Sequence, residues 1–164
     1  MIGPVFIRAA TVADAAAIHA ALLGIADTLG QRHRIVSSVE DISKYGFGAE
    51  PAFKVLIAEA DGEFAGMCLW FPSFSTWFGR PGVYVQDLYV APAFRKLGVA
   101  EQLMRRLANE TKRTGGTYIR LSVDANNASA TRFYERIGMK PSAQERIFVA
   151  RHDDFEQLAE GDNS

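Results

Sequence analysis

The sequence predicts an α/β (α+β) protein with one mixed central sheet of about six or seven strands and helices on both of its faces. Three observations carry that prediction. Two β-rich runs, FKVLIAEA from Phe53 and FAGMCLWF from Phe64, flank Asp61-Gly62, a dipeptide favoured in two-residue hairpins, so an antiparallel pair lies mid-chain. A third β-rich run over 83–90 leads through a long helical pattern into another strand, a crossover that implies a parallel pair. Segments of helical period stand before the hairpin and after the crossover. The order is therefore β-α-α-β-β-β-α-β-α-β, with room for one further strand.

Taken in order, VFIRA at 5–9 reads as a strand, and Thr11 with Asp14 resembles a capping box in which Asp replaces the usual Glu. Ile18, Leu22, Ile25 and Leu29 then recur at helical spacing, which extends a helix from Val12 to about Leu29. A weaker helical pattern covers 39–45 after Ser37 and Ser38, and Gly46, Gly48 and Pro51 end it. Beyond the hairpin, PSFSTWFGRPG is a loop rich in aromatic and turn residues. Val99, Leu103 and Leu107 form the apolar stripe of a helix over 98–114, closed by Gly115 and Gly116. Residues 118–123 read as a strand and 127–137 as a short helix ending at Gly138; an extended region after Pro141 includes 146–150. Residues 1–155 are expected to form a single domain, and the polar tail 156–164 is expected to fray.

A chain of 164 residues can bury one full core but not two comfortable ones. Its net charge of −1, from 18 Lys and Arg against 19 Asp and Glu, supplies no global field toward nucleic acid or a membrane surface, and neither is expected as a partner. Any anion site must be local. No run is long and apolar enough to span a bilayer, and the first residues lack the hydrophobic centre of a secretory signal. The lone cysteine, Cys68, has no internal disulfide partner and reads as a small core side chain, so a cytoplasmic location is expected. The two glycosylation sequons, at Asn109 and Asn127, fall in helical patterns and read as chance matches. His19, His33 and His152 have no metal-ligand spacing, so no metal is expected. Walker, dinucleotide and Gly-x-Ser-x-Gly patterns are also missing.

The chemistry concentrates in QDLYVAPAFRKLGVA at 86–100. A strand that breaks at Pro92 and presents Arg95, Lys96 and Gly98 ahead of a helix delivers backbone N–H groups and a helix N-terminus to one point, which suits an anion such as a pyrophosphate. The alternative is an ordinary strand–turn–helix connection with solvated Arg and Lys. Asp124 to Asn127 end the following strand, so two strand C-termini would meet at one crevice. Tyr134 lies in the next helix, where a core aromatic paired with Phe133 is the competing reading. Asp87, inside an apolar strand, is either a satisfied buried polar group or a carboxylate for an amine substrate.

GVYVQDLYVAPAFRKLGVAEQLM resembles the acetyl-CoA motif of the GCN5-related N-acetyltransferase (GNAT) superfamily, Arg/Gln-x-x-Gly-x-Gly/Ala, matched at Arg95, Gly98 and Ala100. DANNASATRFYERIGM resembles that family's second motif through Asn126, Ser129, Phe133, Tyr134 and Gly138. GFGAEPAF at 46–53, TWFG at 76–79 and Asp87 look like the spermidine/spermine (diamine) and thialysine acetyltransferase branch. The resemblance implies the GNAT fold, acetyl-CoA as co-substrate, a small-molecule primary amine as acceptor, direct attack of that amine on the thioester, and a homodimer. It implies that backbone groups around Leu88, Tyr89 and Val90 pair with the pantetheine arm as an added strand. The amides of Lys96, Leu97, Gly98, Val99 and Ala100 would cradle the pyrophosphate beside Arg95. Asn126, with Ser129 nearby, would hold the pantetheine, and Tyr134 would protonate the departing thiolate.

The acceptor side departs from that branch, which typically has a glutamate before the aspartate. Gln86 stands there instead and cannot act as a base. An alkyl ammonium of pKa about 10.4 must lose a proton before it attacks, at a cost of about 4 to 5 kcal/mol at pH 7. Asp87, Glu59 or a water chain could take that proton, or the acceptor could be less basic. Gln86 and Asp87 are thus the candidate acceptor contacts, and Trp77 either shapes an acceptor pocket or packs in the core or an interface. A protein amine as acceptor, or an acyl-CoA-binding module without turnover, are the alternatives.

Overall fold

The computed structural model describes residues 2–161, which fall into two compact units, one ending at Ala128 and one beginning at Ser129. The first unit contains β1 (Val5–Ala9), α1 (Ala15–Thr28), α2 (Val39–Phe47), β2 (Lys54–Ala60), β3 (Glu63–Ser75), β4 (Arg80–Val90), α3 (Val99–Arg113) and β5 (Ile119–Leu121). The strands lie in the order β1-β2-β3-β4-β5, antiparallel up to β4 and parallel between β4 and β5. α4 (Ala128–Arg136) and α5 (Asp153–Glu160) follow. Among the described residues no helix is long and apolar enough to cross a membrane.

Local chemistry sets most boundaries. The Thr11 N–H donates to Asp14 Oδ2 at 2.7 Å, and a 3₁₀ turn over Val12–Asp14 passes straight into α1. Ser38 and Asp41 make the same reciprocal box ahead of α2, with bonds of 2.8 and 3.2 Å. Asp61 at φ 53° and Gly62 at φ 78° are both left-handed, as the tight turn between β2 and β3 requires.

Ile18 of α1 and Ile42 of α2 are buried with Val55, Ile57, Met67 and Leu69 on one face of the sheet. Successive strand residues alternate faces, so Leu56, Ala58, Gly66 and Cys68 point the other way. That opposite face meets α3, whose Val99, Leu103 and Leu107 are buried. A Cβ on Gly66 would stand 3.4 Å from Val99 Cγ1 and 2.5 Å from the Tyr89 carbonyl oxygen, so Gly66 is where β4 and α3 close onto β3.

Three expectations are corrected. The sheet has five strands among the described residues, not six or seven. The run at 146–150 has strand-forming residues but no ladder partner, and strand propensity without a paired edge is too weak to hold a strand. Helix also extends into the segment expected to fray: Asp153, Asp154 and Glu156 put negative charge in the first turn of α5, where the helix dipole favours it, and the helix reaches Glu160. The remaining expected tail residues, 162–164, lie outside the described residues. β3 and β4 are also longer than expected, because the aromatic loop is mostly hairpin: Phe71 stacks on Tyr84 with centroids 5.1 Å apart, and pairing continues to Ser75↔Arg80.

Candidate active site

β4 has two unlike edges. Along β3 it is paired from Arg80 to Val90, whereas along β5 the ladder has three rungs, Val83↔Ile119, Tyr84↔Arg120 and Val85↔Leu121. The register against β3 jumps from Trp70↔Val85 to Leu69↔Asp87, which leaves Gln86 as the extra residue of a β-bulge. Among the described residues, the edge that faced β5 has no strand partner from this bulge to Val90. Its backbone donors and acceptors are left for something else to satisfy.

Past Val90 the chain makes a 3₁₀ turn over Pro92–Phe94, anchored by buried Phe94, and then kinks at two left-handed residues, Lys96 at φ 62° and Gly98 at φ 78°. The backbone bond from Gln102 N–H to Gly98 O at 3.0 Å opens α3, so the amides of Val99, Ala100 and Glu101 precede any intrahelical partner. Lys96, Leu97 and Gly98 are exposed, and a Cβ at Gly98 would meet nothing nearer than Gln102 Nε2 at 3.9 Å. Arg95 donates from Nε to Val90 O at 3.1 Å and so ties this turn to the end of the free edge. A free strand edge running into an open, amide-lined turn fits an extended amide chain that ends in a pyrophosphate, the shape of coenzyme A.

The site residues divide by what their side chains do. Val99 is buried, leaving only its N–H for a ligand. Tyr89 turns inward: its ring lies over Gly24, where a Cβ would stand 2.7 Å away, and it stacks on Phe64 at 6.4 Å. Leu88, opposite Cys68, alternates to the α3 face. Asp87, opposite Leu69, points to the α1/α2 face beside the Phe71–Tyr84 stack. Burial pushes its carboxyl up to about 6, and among the described residues no side chain hydrogen-bonds to it. Burial first, and then the charge of Asp87, pushes the Cys68 thiol up to about 12, so that thiol is no nucleophile.

Glu59 is not brought to this point. Arg8 holds it at 2.6 Å and Asp14 at 2.8 Å, and that guanidinium keeps the Asp14 carboxyl below its usual range. Glu59 lies four residues along β2 from Val55, which shares the Leu69–Asp87 row, a separation of about 13 Å. Trp77 is 94% exposed in the turn between β3 and β4, about 20 Å along the hairpin from Asp87.

After β5, the Asn126 N–H donates to Asp124 Oδ1 and the Asn127 N–H to Asp124 O, both at 2.9 Å. Asp124 thereby closes a turn around Asn126 and leaves Asn127 as the residue directly before α4. Asn127 belongs to the stretch that the sequence already singles out, without a role of its own there. In the second unit Ser129 lies in the first turn of α4, and Tyr134 meets Phe133 edge-to-face at 5.1 Å while the Arg136 guanidinium sits over Phe133 at 5.4 Å. Tyr134 O accepts from the Met139 N–H at 3.0 Å, past Gly138 at φ 99°.

Comparison with known proteins decides the family. The acetyltransferase (GNAT) family matches over residues 25–139. This chain belongs to that family, and it is an N-acetyltransferase. Within the family it stands near the thialysine branch: it is 31% identical over 140 residues to a thialysine N-epsilon-acetyltransferase of Mus musculus, covering 80% of this chain and 82% of the mouse protein. An L-ornithine N5-acetyltransferase of Arabidopsis thaliana is 22% identical over 117 residues, covering 71% of this chain and 48% of the plant protein. Among solved structures, an integron cassette protein of V. cholerae superposes with a TM-score of 0.76 at 21% identity over 94% of this chain and 97% of its own, which shows the shared fold.

Proposed function

We propose that this N-acetyltransferase moves the acetyl group of acetyl-CoA onto the primary amine of a small molecule of the thialysine, ornithine or polyamine kind. The observation that carries the reading is the bulge at Gln86, which frees one edge of β4 up to Val90 and leads it into the amide-lined turn at Gly98. Backbone groups around Leu88 and Val90 hold the pantetheine, and the amides of residues 96–100 with Arg95 hold the pyrophosphate. Acetyl-CoA supplies the activated acyl thioester. Asp87, whose carboxyl titrates at about 6, is ionised at pH 7 and takes the proton that the acceptor ammonium must lose. The amine nitrogen then forms the new bond to the acyl carbon as the carbon–sulfur bond breaks, Tyr134 gives its phenol proton to the departing thiolate, and the second proton, shed by the acylated nitrogen, returns to the tyrosinate through water. Gln86 orients the acceptor without exchanging protons, and Asn126 or its neighbour Asn127 holds the pantetheine amide together with Ser129. The names of the thialysine and ornithine relatives support an acceptor with an amine at the end of a flexible chain. The protein acts as one domain, in the cytoplasm, as a homodimer.

The test is thiol release from acetyl-CoA with a panel of thialysine, ornithine, lysine analogues, diamines and polyamines, with the product identified by mass. Acetylation of at least one of these is expected, and silence across the panel would overturn the small-amine assignment. Tyr134→Phe should lower kcat about 10²-fold while acetyl-CoA affinity holds. An unchanged kcat would remove the phenol from the acid role.

A further inference from the structure

We propose that two phenol–serine hydrogen bonds, Tyr84 to Ser122 and Tyr118 to Ser73, form the closed end of the β4 free edge and thereby limit which acyl chain the site accepts. Three parallel rungs are little to hold an edge strand, since parallel pairing is slanted and slightly weaker per residue. Side chains supply the rest. Tyr118, immediately before β5, lays its ring across Gly82, where a Cβ would stand 2.5 Å from the ring, and donates to Ser73 Oγ on β3 at 2.9 Å. Tyr84, on β4, donates to Ser122 Oγ immediately after β5 at 2.8 Å. The two bonds bracket the ladder, and the second joins Tyr84, two residues before the bulge at Gln86, to the residue just past the last rung.

The inference rests on the acetyl-CoA reading, which fixes a direction. With the pyrophosphate at residues 96–100, the pantetheine runs back along β4 from Val90 toward Gln86, so the acyl group arrives last, at the vertex where β5 rejoins β4. Tyr84 forms the wall there. Its ring is stacked on Phe71 at 5.1 Å and 22°, on the same face as Asp87, and its hydroxyl is pinned to β5. A two-carbon acyl stops beside Asp87, whereas a longer one must push the strands apart against both phenol–serine bonds. Tyr84 and Ser122 are positioning residues, since they act through the place where β5 leaves β4.

Equilibrium titration with acetyl-, propionyl- and butyryl-CoA tests this without relying on turnover. The wild-type protein should bind acetyl-CoA at least about tenfold more tightly than butyryl-CoA, the scale on which added methylenes are discriminated. Tyr84→Phe, which keeps the stacked ring, and Ser122→Ala should each shrink that ratio to about threefold or less. The double variant should do no more than either single change, because both remove the same bond. Ser122→Thr, which keeps a hydroxyl, should restore the ratio. A ratio unchanged in both single variants, even with a lower thermal midpoint, overturns the inference and leaves the acetyl-CoA site standing. So does a wild-type protein indifferent to chain length. A wild-type protein that binds none of the three overturns the acetyl-CoA reading and this inference together.

Discussion

The two halves of β4 are a controlled comparison within one strand. From Arg80 to Val85 it is paired on β3 and, over its last three residues, also on β5; from Gln86 to Val90 it is paired on β3 alone. Each half carries three strand-forming residues, Val83, Tyr84 and Val85 in one and Leu88, Tyr89 and Val90 in the other, so strand propensity alone does not separate them. What separates them is one extra residue. The bulge at Gln86 shifts the alternation so that Val85 faces α3 while Asp87 faces α1 and α2, and β5 parts company at that point. The doubly paired half is scaffold. The singly paired half combines an unsatisfied backbone edge with a half-buried carboxyl, which a fully paired strand could not offer.

The largest expected effect breaks the chemical side of that contrast. Asp87→Asn keeps shape and removes the base, so kcat/KM for the amine should fall about 10²- to 10³-fold with acetyl-CoA affinity unchanged. Steady-state kinetics at pH 7.5 checks this. For the wild type the rate should rise as pH climbs through about 6, where Asp87 ionises, and this limb should be missing in the variant. Stability runs the other way. The folded state binds the Asp87 proton more tightly than the unfolded chain does, so its stabilising contribution is full below about 3.9 and is lost as pH rises through about 6. At pH 8 Asp87→Asn should therefore be more stable than wild type by about 1 kcal/mol, after allowance for partial exposure, with the gap closing below pH 4. Denaturant midpoints at the two pH values decide it: a variant no more stable at pH 8 would mean that Asp87 is well solvated.

A smaller effect tests the other end of the free edge. Gly98→Ala places a methyl at φ 78°, which costs about 1 kcal/mol, and projects it where nothing but Gln102 lies within 4 Å. That open space is the proposed pyrophosphate seat. KM for acetyl-CoA should rise about tenfold with kcat nearly constant, since the lost interaction is equal in ground and transition states. A loss of stability with no change in KM would remove the turn from the site.

How much of this was legible depends on range. The Asp61-Gly62 turn, the Thr11 box and the stripe Val99, Leu103, Leu107 are short-range patterns, and they fold as they read. The exposed turn at 95–100 ahead of a helix was legible because Gly98 and its place before the helical pattern are local facts. The bulge was not: Val85-Gln86-Asp87 contains no Gly or Pro, and the extra residue exists only relative to the register of β3. Glu59 remained a candidate base in the sequence because its partner, Arg8, lies 51 residues away on β1. Tyr89 was expected to offer the site its backbone alone, and its ring packs against the core cluster, a contact invisible in the local sequence. The surplus strand came from trusting strand-forming residues at 146–150 without an edge for them to join.

The smallest expected effect contrasts the two ends of the β3–β4 hairpin. Asp87 lies at the bulge and Trp77 at the tip, about 20 Å apart, and the indole is 94% exposed. Trp77→Ala removes no buried contact, so stability should change by about 0.5 kcal/mol or less, and the amine KM should stay within about twofold. The TWFG resemblance to the polyamine and thialysine branch argues the opposite, that Trp77 touches the acceptor. An exposed tip and an acceptor contact are compatible only if the tip serves a neighbouring chain's site, where its reach is no longer limited by the length of its own hairpin. Measuring the amine KM of Trp77→Ala across protein concentrations separates the cases. A KM indifferent to both mutation and dilution makes the tip a bystander. A wild-type KM that rises on dilution toward a constant mutant value makes Trp77 an acceptor contact delivered by a second copy, and the active site would then be complete only in the dimer.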